Sequence, residues 1–146
     1  MTGMAEAATP RACSIARTLE LVGERWALLA LREVFLGVHR FDAIQRNTGA
    51  PRDILSARLR KLLAAGLLER RQYQERPARF EYRLTAAGRD LLPVLLTLMD
   101  WGDKHLAEGA PPLTYRHRCG ATFEPVLVCR ACGDPVSRRD LTVVSD

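Results

Sequence analysis

Apolar residues recur at helical spacing along the first third of the chain. Ile15, Leu19, Val22 and Trp26 follow one another at three or four residues, the stripe of an amphipathic helix, with an interruption near Gly23. From Trp26 to Leu36 nearly every side is apolar except at Arg32 and Glu33, which predicts a helix in the middle of a core, ended by Gly37. Arg40 to Arg46 predicts a short helix that buries Phe41 and Ile44 and stops at Asn47, Thr48 and Gly49. Pro51 suits a first helical position, and Leu55, Leu59 and Leu62 then mark one buried face running up to Gly66. Asp53, Ala57, Arg60 and Ala64 point the opposite way, flanked by Ser56 and Lys61. Two short helices joined by a turn at Gly49 make a helix-turn-helix pattern.

Beyond Gly66 the pattern changes. Leu67 to Tyr73 and Phe80 to Leu84 read as strands, the second alternating Phe80, Tyr82 and Leu84 with Glu81 and Arg83. The segment between them, Gln74 to Arg79, is too polar for a core, so the pair predicts a hairpin with a charged tip. Thr85 can cap a long helix from Ala86 through Leu91, Leu92, Leu95, Leu98 and Trp101, which Pro93 should kink or locally loosen. Its apolar arc is wider than one face and no further helix is available to cover it, which predicts a partner chain. After Gly109, Ala110, Pro111 and Pro112 come short strand-like runs, Leu113 to Arg118 and Val126 to Val128, with three of the four cysteines. The expected organisation is a small, polar, flexible tail over 1–11, a mainly α body with one small β-hairpin over 12–108, and a small β-rich, cysteine-containing C-terminal extension over 109–146.

The 146 residues, 47% of them hydrophobic, are enough to bury a core without disulfides. The longest uninterrupted apolar run, Trp26 to Leu31, falls far short of the ~20 residues that span a bilayer. Met1 to Arg11 holds no apolar stretch behind a basic one, so a cytoplasmic protein with reduced thiols and no membrane partner is expected. The net charge of +5 is focused: between Arg52 and Arg89 ten basic residues face four acidic ones. A helix-turn-helix followed by a basic hairpin suits double-stranded DNA. The helix fits the major groove, and basic residues at the hairpin tip reach phosphate or the adjacent minor groove. The same pattern also serves protein-docking modules that bind no DNA.

The residues carry a resemblance as well. Leu21 to Trp26, Leu31-Arg32-Glu33, Arg40-Phe41, Leu55 to Leu62, Gly66-Leu67-Leu68, Pro77 to Thr85 and Trp101-Gly102 closely resemble, in order, the HxlR family of bacterial transcriptional regulators, a MarR-like group. The resemblance covers about residues 13–102. It implies a winged helix-turn-helix with residues 51–65 as recognition helix and 74–79 as wing. It also implies a homodimer built by the N-terminal helix and the long helix after the wing, acting on an inverted-repeat operator. On that basis Arg52, Ser56, Ala57, Arg60 and Lys61 are expected at the groove and Arg76 and Arg79 on the wing, while Arg58 can instead bridge inside the fold. Several members sense oxidants through a cysteine near the start of the first helix, the position of Cys13. The effector expected is either an oxidant at Cys13 or a small molecule in a cavity near the dimer helices.

The second constellation is His117-x-Cys119-Gly120 followed by Cys129-x-x-Cys132-Gly133. A Cys-x-x-Cys-Gly turn lets two thiolates converge on one ion, and His117 with Cys119 would complete a closed, structural Cys3His zinc site. Reduced cysteines packed as small hydrophobes, or a redox-active Cys129–Cys132 pair, fit the same residues. His39 and His105 read as a loop and a helix-end residue rather than ligands. There is no P-loop, Gly-x-Gly-x-x-Gly or Gly-x-Ser-x-Gly motif. The reading is therefore a DNA-binding regulator and not an enzyme; a winged-helix adaptor and a zinc-dependent enzyme in the C-terminal extension are the rivals.

Overall fold

The computed structural model describes residues 10–144. The tail expected over 1–11 lies, but for its last two residues, outside them.

Four helices open the fold: α1 (Ser14–Val22), α2 (Arg25–Phe35), α3 (Phe41–Thr48) and α4 (Arg52–Ala64). The interruption near Gly23 is a true break, because the Glu24 side chain accepts the Trp26 backbone N–H at 3.1 Å and starts a new helix. Gly37 and Gly49, both left-handed at φ 85 and φ 75, follow α2 and α3 as the expected stops. Pro51 lies one residue earlier than expected: with ψ 138 it stands just outside α4, and its carbonyl accepts the Leu55 N–H at 2.9 Å. α2 is the central helix, packed against α1, α3, α4 and the hairpin, with Ala27, Ala30, Leu31 and Val34 buried. Leu55, Leu59 and Leu62 of α4 and Ile44 of α3 close on it, each fully buried, while Phe41 is only half-buried. The stripe on α1 does not join this core. Ile15 is 70% and Leu19 54% exposed, and only Val22 is buried.

The hairpin pairs β1 (Leu68–Gln74) with β2 (Arg79–Leu84), antiparallel, from Leu68 opposite Leu84 to Gln72 opposite Phe80, with a register irregularity at Tyr73. Its base is held by buried Leu67 and Leu68, but Phe80 is 37% exposed. The two-residue alternation therefore does not sort β2 into a buried and a wet face, because the outer half of the hairpin projects past the core as a wing.

The helix expected from Ala86 is two helices, α5 (Ala86–Arg89) and α6 (Leu92–His105). The break falls at Asp90–Leu91, and Pro93 sits in the first turn of α6, where its missing N–H leaves no carbonyl unpaired. Thr85 is the expected cap: its Oγ1 accepts the Gly88 N–H at 3.1 Å and donates to the Gly66 carbonyl at 2.5 Å. Gly88 is buried, and a Cβ there would stand 2.1 Å from the Leu67 carbonyl oxygen.

The chain divides into two compact units at the start of α6, between Leu92 and Pro93. None of the residues of α6 is buried. In the C-terminal extension the expected strand runs reduce to two isolated antiparallel bridges, Arg116 with Thr122 and Val128 with Pro135, followed by a short 3-10 turn at Arg138–Asp140. Among the described residues no helix is long and apolar enough to cross a membrane.

Candidate nucleic-acid interface

The turn between α3 and α4 is fixed by polar contacts at its root. Glu33, buried on α2, forms an ion pair with Arg32 at 2.8 Å, and its other oxygen accepts from Asn47 Nδ2, also at 2.8 Å. A buried carboxylate so paired ties the end of α3 to α2. Thr48 Oγ1 accepts the Ala50 N–H at 3.2 Å and donates back to the Ile44 carbonyl at 2.8 Å, closing the turn.

α4 is anchored along two lines. Arg58 Nε lies 2.9 Å from Glu24 Oε2, off hydrogen-bond angle, so the contact is ionic and Arg58 bridges inside the fold. Lys61, expected at the groove, instead has its Nζ donating to the Glu20 carbonyl of α1. Of the other expected groove residues, Arg52 and Arg60 are exposed, and Ser56 and Ala57 are half-buried. Asp53 and Ala64 are exposed with them, and Ile54 adds an apolar side chain 39% exposed near the start of the helix. The outward face of α4 thus offers arginine, small residues and one apolar contact.

Beside it, α3, the first residue of α4 and the wing enclose an open groove. Arg40, Phe41, Asp42, Arg46, Arg52 and Arg79 are among its lining residues, four arginines against one aspartate. Arg52 forms an ion pair with Asp42 at 3.2 Å, with its guanidinium 4.8 Å from the Phe41 ring centre. Arg40 lies over Tyr73 at 4.2 Å, and on the wing Arg70 lies over Phe80 at 4.0 Å. An aromatic face holds a guanidinium in place while leaving its edge donors free, so these cations are preordered for an anionic ligand. The exposed Arg52–Asp42 pair is weak enough to be exchanged for a phosphate.

The wing is seated through His39, in the loop before α3. Arg83 has only donors, so the His39 Nε2 atom 3.1 Å from its Nη1 accepts, and Nδ1 carries the proton donated to the Tyr82 carbonyl at 3.0 Å. The Tyr82 N–H returns a bond to the His39 carbonyl at 2.8 Å. Arg83 also donates to Glu81 at 2.8 Å, and the guanidinium holds the Glu81 carboxyl below its ordinary range. Arg76 is at the exposed wing tip and Arg79 at the start of β2, on the groove. Arg40, Arg46 and Tyr73, which the sequence reading left out of the site, enter the groove because the wing folds back beside α3. That neighbourhood is tertiary, and no local pattern announces it.

Cys13 is half-buried at the N-cap position of α1; its carbonyl accepts the Arg17 N–H at 3.1 Å and its side chain makes no cap bond. Cys119, Cys129 and Cys132 are exposed free thiols. Among the described residues no three His, Cys, Asp or Glu side chains are gathered as a metal cage, so the expected four ligands are not brought together.

Comparison with known proteins bears on this geometry. The HxlR-like helix-turn-helix family model matches residues 21–110. An uncharacterised HTH-type transcriptional regulator, Rv3095 of Mycobacterium tuberculosis, is 50% identical over 131 residues, covering 88% of this chain and 83% of its own. A match of that extent runs past residue 110 into the C-terminal extension. The crystal structure of PA1607, a candidate transcription factor, is similar with a TM-score of 0.80 at 34% identity over 92% of this chain and 96% of its own. The redox regulator HypR in its reduced form is similar with a TM-score of 0.57 at 29% identity, over 64% of this chain and 94% of its own. These relatives are regulators and not enzymes, and the helix-turn-helix with its basic wing agrees with them. With the family match spanning helix, turn, wing and α6, the chain belongs to the HxlR-like helix-turn-helix family of transcriptional regulators.

Proposed function

We propose that two copies of this chain bind an inverted-repeat DNA operator, each laying α4 into a major groove while the wing follows the neighbouring backbone. The observation that carries the reading is the arginine groove between α3 and the wing, next to the exposed face of α4. Arg60 on the outward face is the base-reading arginine. Arg40, Arg46, Arg52 and Arg79 contact phosphate, and Arg76 reaches the backbone or minor groove from the wing tip. Ser56 and Ala57, being small, let α4 approach the base edges closely. Lys61, engaged with α1, serves as a clamp that sets the tilt of α4.

The dimer part rests on uncovered apolar surface. Ile15 and Leu19 project from α1, and α6, whose Leu98 is 51% and Trp101 56% exposed, buries none of its residues. A soluble chain covers surface of that kind with a partner, and a second copy presents matching helices by symmetry. A symmetric pair would read half-sites about one helical turn, ~34 Å, apart.

The test is fluorescence anisotropy on operator and random duplexes at two salt concentrations. Replacing Arg60 by Ala should cost about 1–3 kcal/mol on the operator and relax preference at one base pair. Replacing Arg46 or Arg79 should weaken all duplexes alike and flatten the dependence on salt. Affinity that ignores salt and all three substitutions would leave the adaptor reading in place.

The signal that changes the dimer is proposed to enter at Cys13, the half-buried thiol two residues before Ile15. Oxidation there would disturb the exposed face of α1 directly. Peroxide should lower operator affinity of the parent protein and leave Cys13→Ser unchanged; equal loss in both proteins excludes Cys13 as the sensor.

A further inference from the structure

α1 meets the winged-helix core at its C-terminal end. Val22 is its one buried residue, while Ile15 and Leu19 stand largely exposed toward the other end. Its polar ties gather at the same end, in the last turn and the corner that follows. The Gly23 N–H donates to the Leu19 carbonyl at 2.7 Å, and a Cβ on Gly23 would stand 2.3 Å from that oxygen, so the corner closes this tightly because residue 23 has no side chain. Glu24 comes next, and a single oxygen of its carboxylate serves two helices. Oε2 accepts the Trp26 N–H at 3.1 Å, which starts α2, and lies 2.9 Å from Arg58 Nε on α4. Three residues further along α4, Lys61 Nζ donates to the Glu20 carbonyl in the last turn of α1. Two side-chain ties from this corner thus run to α4, the helix whose outward face is described above.

The two ties differ in kind. The Arg58 Nε atom is buried and has no hydrogen-bond partner among the described residues, so the charge of Glu24 is what holds the guanidinium there. The Lys61 tie is a directional hydrogen bond that ends on a backbone carbonyl, so it follows the path of the α1 main chain whatever side chains α1 carries. α1 itself is a lever about 13 Å long at 1.5 Å per residue, and a small change of angle at Gly23 becomes a displacement at its far end.

We infer that Glu24 is a positioning residue for DNA reading: with Lys61 it locks the orientation of α4 to that of α1, so that pairing of α1 with a second copy fixes the angle and separation of two α4 helices. The inference rests on the proposed operator-bound dimer. In that dimer the contacts made along Ile15 and Leu19 reach α4 through the Glu24–Arg58 and Glu20–Lys61 ties. A tilt of α1 then alters the spacing between half-sites before it alters the contacts of either α4 with its own half-site.

The variant that isolates the joint is Glu24→Gln. Its amide oxygen can still accept the Trp26 N–H and cap α2, but the charge that holds Arg58 is gone. Fluorescence anisotropy is measured on a single half-site and on inverted repeats whose half-site centres are stepped one base pair at a time around one helical turn. The parent protein should favour one spacing over its neighbours by about five- to tenfold. Glu24→Gln should bind the single half-site as the parent does and lose most of that preference. Lys61→Met should lose it too, whereas Lys61→Arg, which keeps a donor for the Glu20 carbonyl, should retain it. Adding Arg58→Gln to Glu24→Gln should change nothing further, because both substitutions break one link. A role confined to capping α2 or to stability would instead lower binding to every duplex by the same factor and keep the preferred spacing. That result, or a Glu24→Gln profile identical to the parent's, overturns the inference.

A second readout needs no DNA. Spin labels on Arg17→Cys and Ala64→Cys, in a chain whose four native cysteines are replaced by serine and which is diluted with unlabelled protein, give the distance between α1 and α4 within one copy. If the parent prefers no spacing, the operator-bound dimer is refuted and the joint is judged by this distance alone. A narrow distribution that broadens in Glu24→Gln upholds the joint, and one that Glu24→Gln leaves unchanged overturns it.

Discussion

At the scale of single residues, the fold relies on a few positions where chemistry leaves little choice. Gly88 lets α5 lie against the turn that carries Leu67, with no space for a methyl group. Gly88→Ala should therefore destabilise the winged-helix unit by about 1–3 kcal/mol, read as a lower thermal midpoint. The Glu81–Arg83 pair shows a pH dependence of definite sign. Arg83 lowers the Glu81 carboxyl from its ordinary value of 4.5, so the pair stabilises the folded state above that pH and stops doing so as pH falls through the lower folded value. Urea unfolding should find Glu81→Gln less stable than the parent at neutral pH and the gap narrowing in acid; a gap that widens in acid contradicts the assignment. Residues such as Leu55, Leu59 and Leu62 declare their burial by spacing alone. Glu33 does not: a lone acid in an apolar helix gives no hint of Asn47, fourteen residues on, which makes its burial tolerable.

At the scale of elements, α1 to α4 and the hairpin stand where hydrophobic period, glycine stops and the Thr85 cap place them, because those signals are local. The break between α5 and α6 was expected at Pro93 and comes earlier, at Asp90–Leu91. Proline is harmless in a first helical turn, so its presence marked the start of α6 and not the place where α5 ends. The arginine groove was only half legible. Arg52 and Arg79 follow from charge on α4 and the wing, but Arg40, Arg46 and Tyr73 join them through the packing of β2 against the His39 loop. That loop gives an element-scale prediction. His39→Ala removes both ring bonds to β2. Hydrogen exchange of the amides in Leu68–Gln74 and Arg79–Leu84 should accelerate while α2 and α4 stay protected, and DNA affinity should fall with the loss of wing placement. Unchanged exchange in the hairpin would show that the wing is held by its base alone.

At the scale of the whole molecule, the proposed dimer draws on the exposed apolar residues of α1 and α6 and on the charge between Arg52 and Arg89: pairing of two copies would set the distance between two basic faces. Leu98→Asp with Trp101→Asp should yield a monomer in sedimentation analysis with the winged-helix unit still folded, and should reduce operator affinity far more than affinity for a single half-site. In the sequence the apolar arc of the long helix reads as too wide for one chain to cover, and none of the residues of α6 is buried. The irregular C-terminal extension was not legible, since short alternating runs read as strands until the structure shows only two bridges and no buried residue there. The most direct test of the account is selection of bound fragments from random duplex DNA, sequenced after washes at low and moderate salt. The account predicts an enriched inverted repeat with half-site centres about one helical turn apart, lost when Arg60 is replaced by Ala. Recovery of fragments with no shared sequence, or of a single unrepeated motif that the arginine substitution leaves untouched, would contradict it.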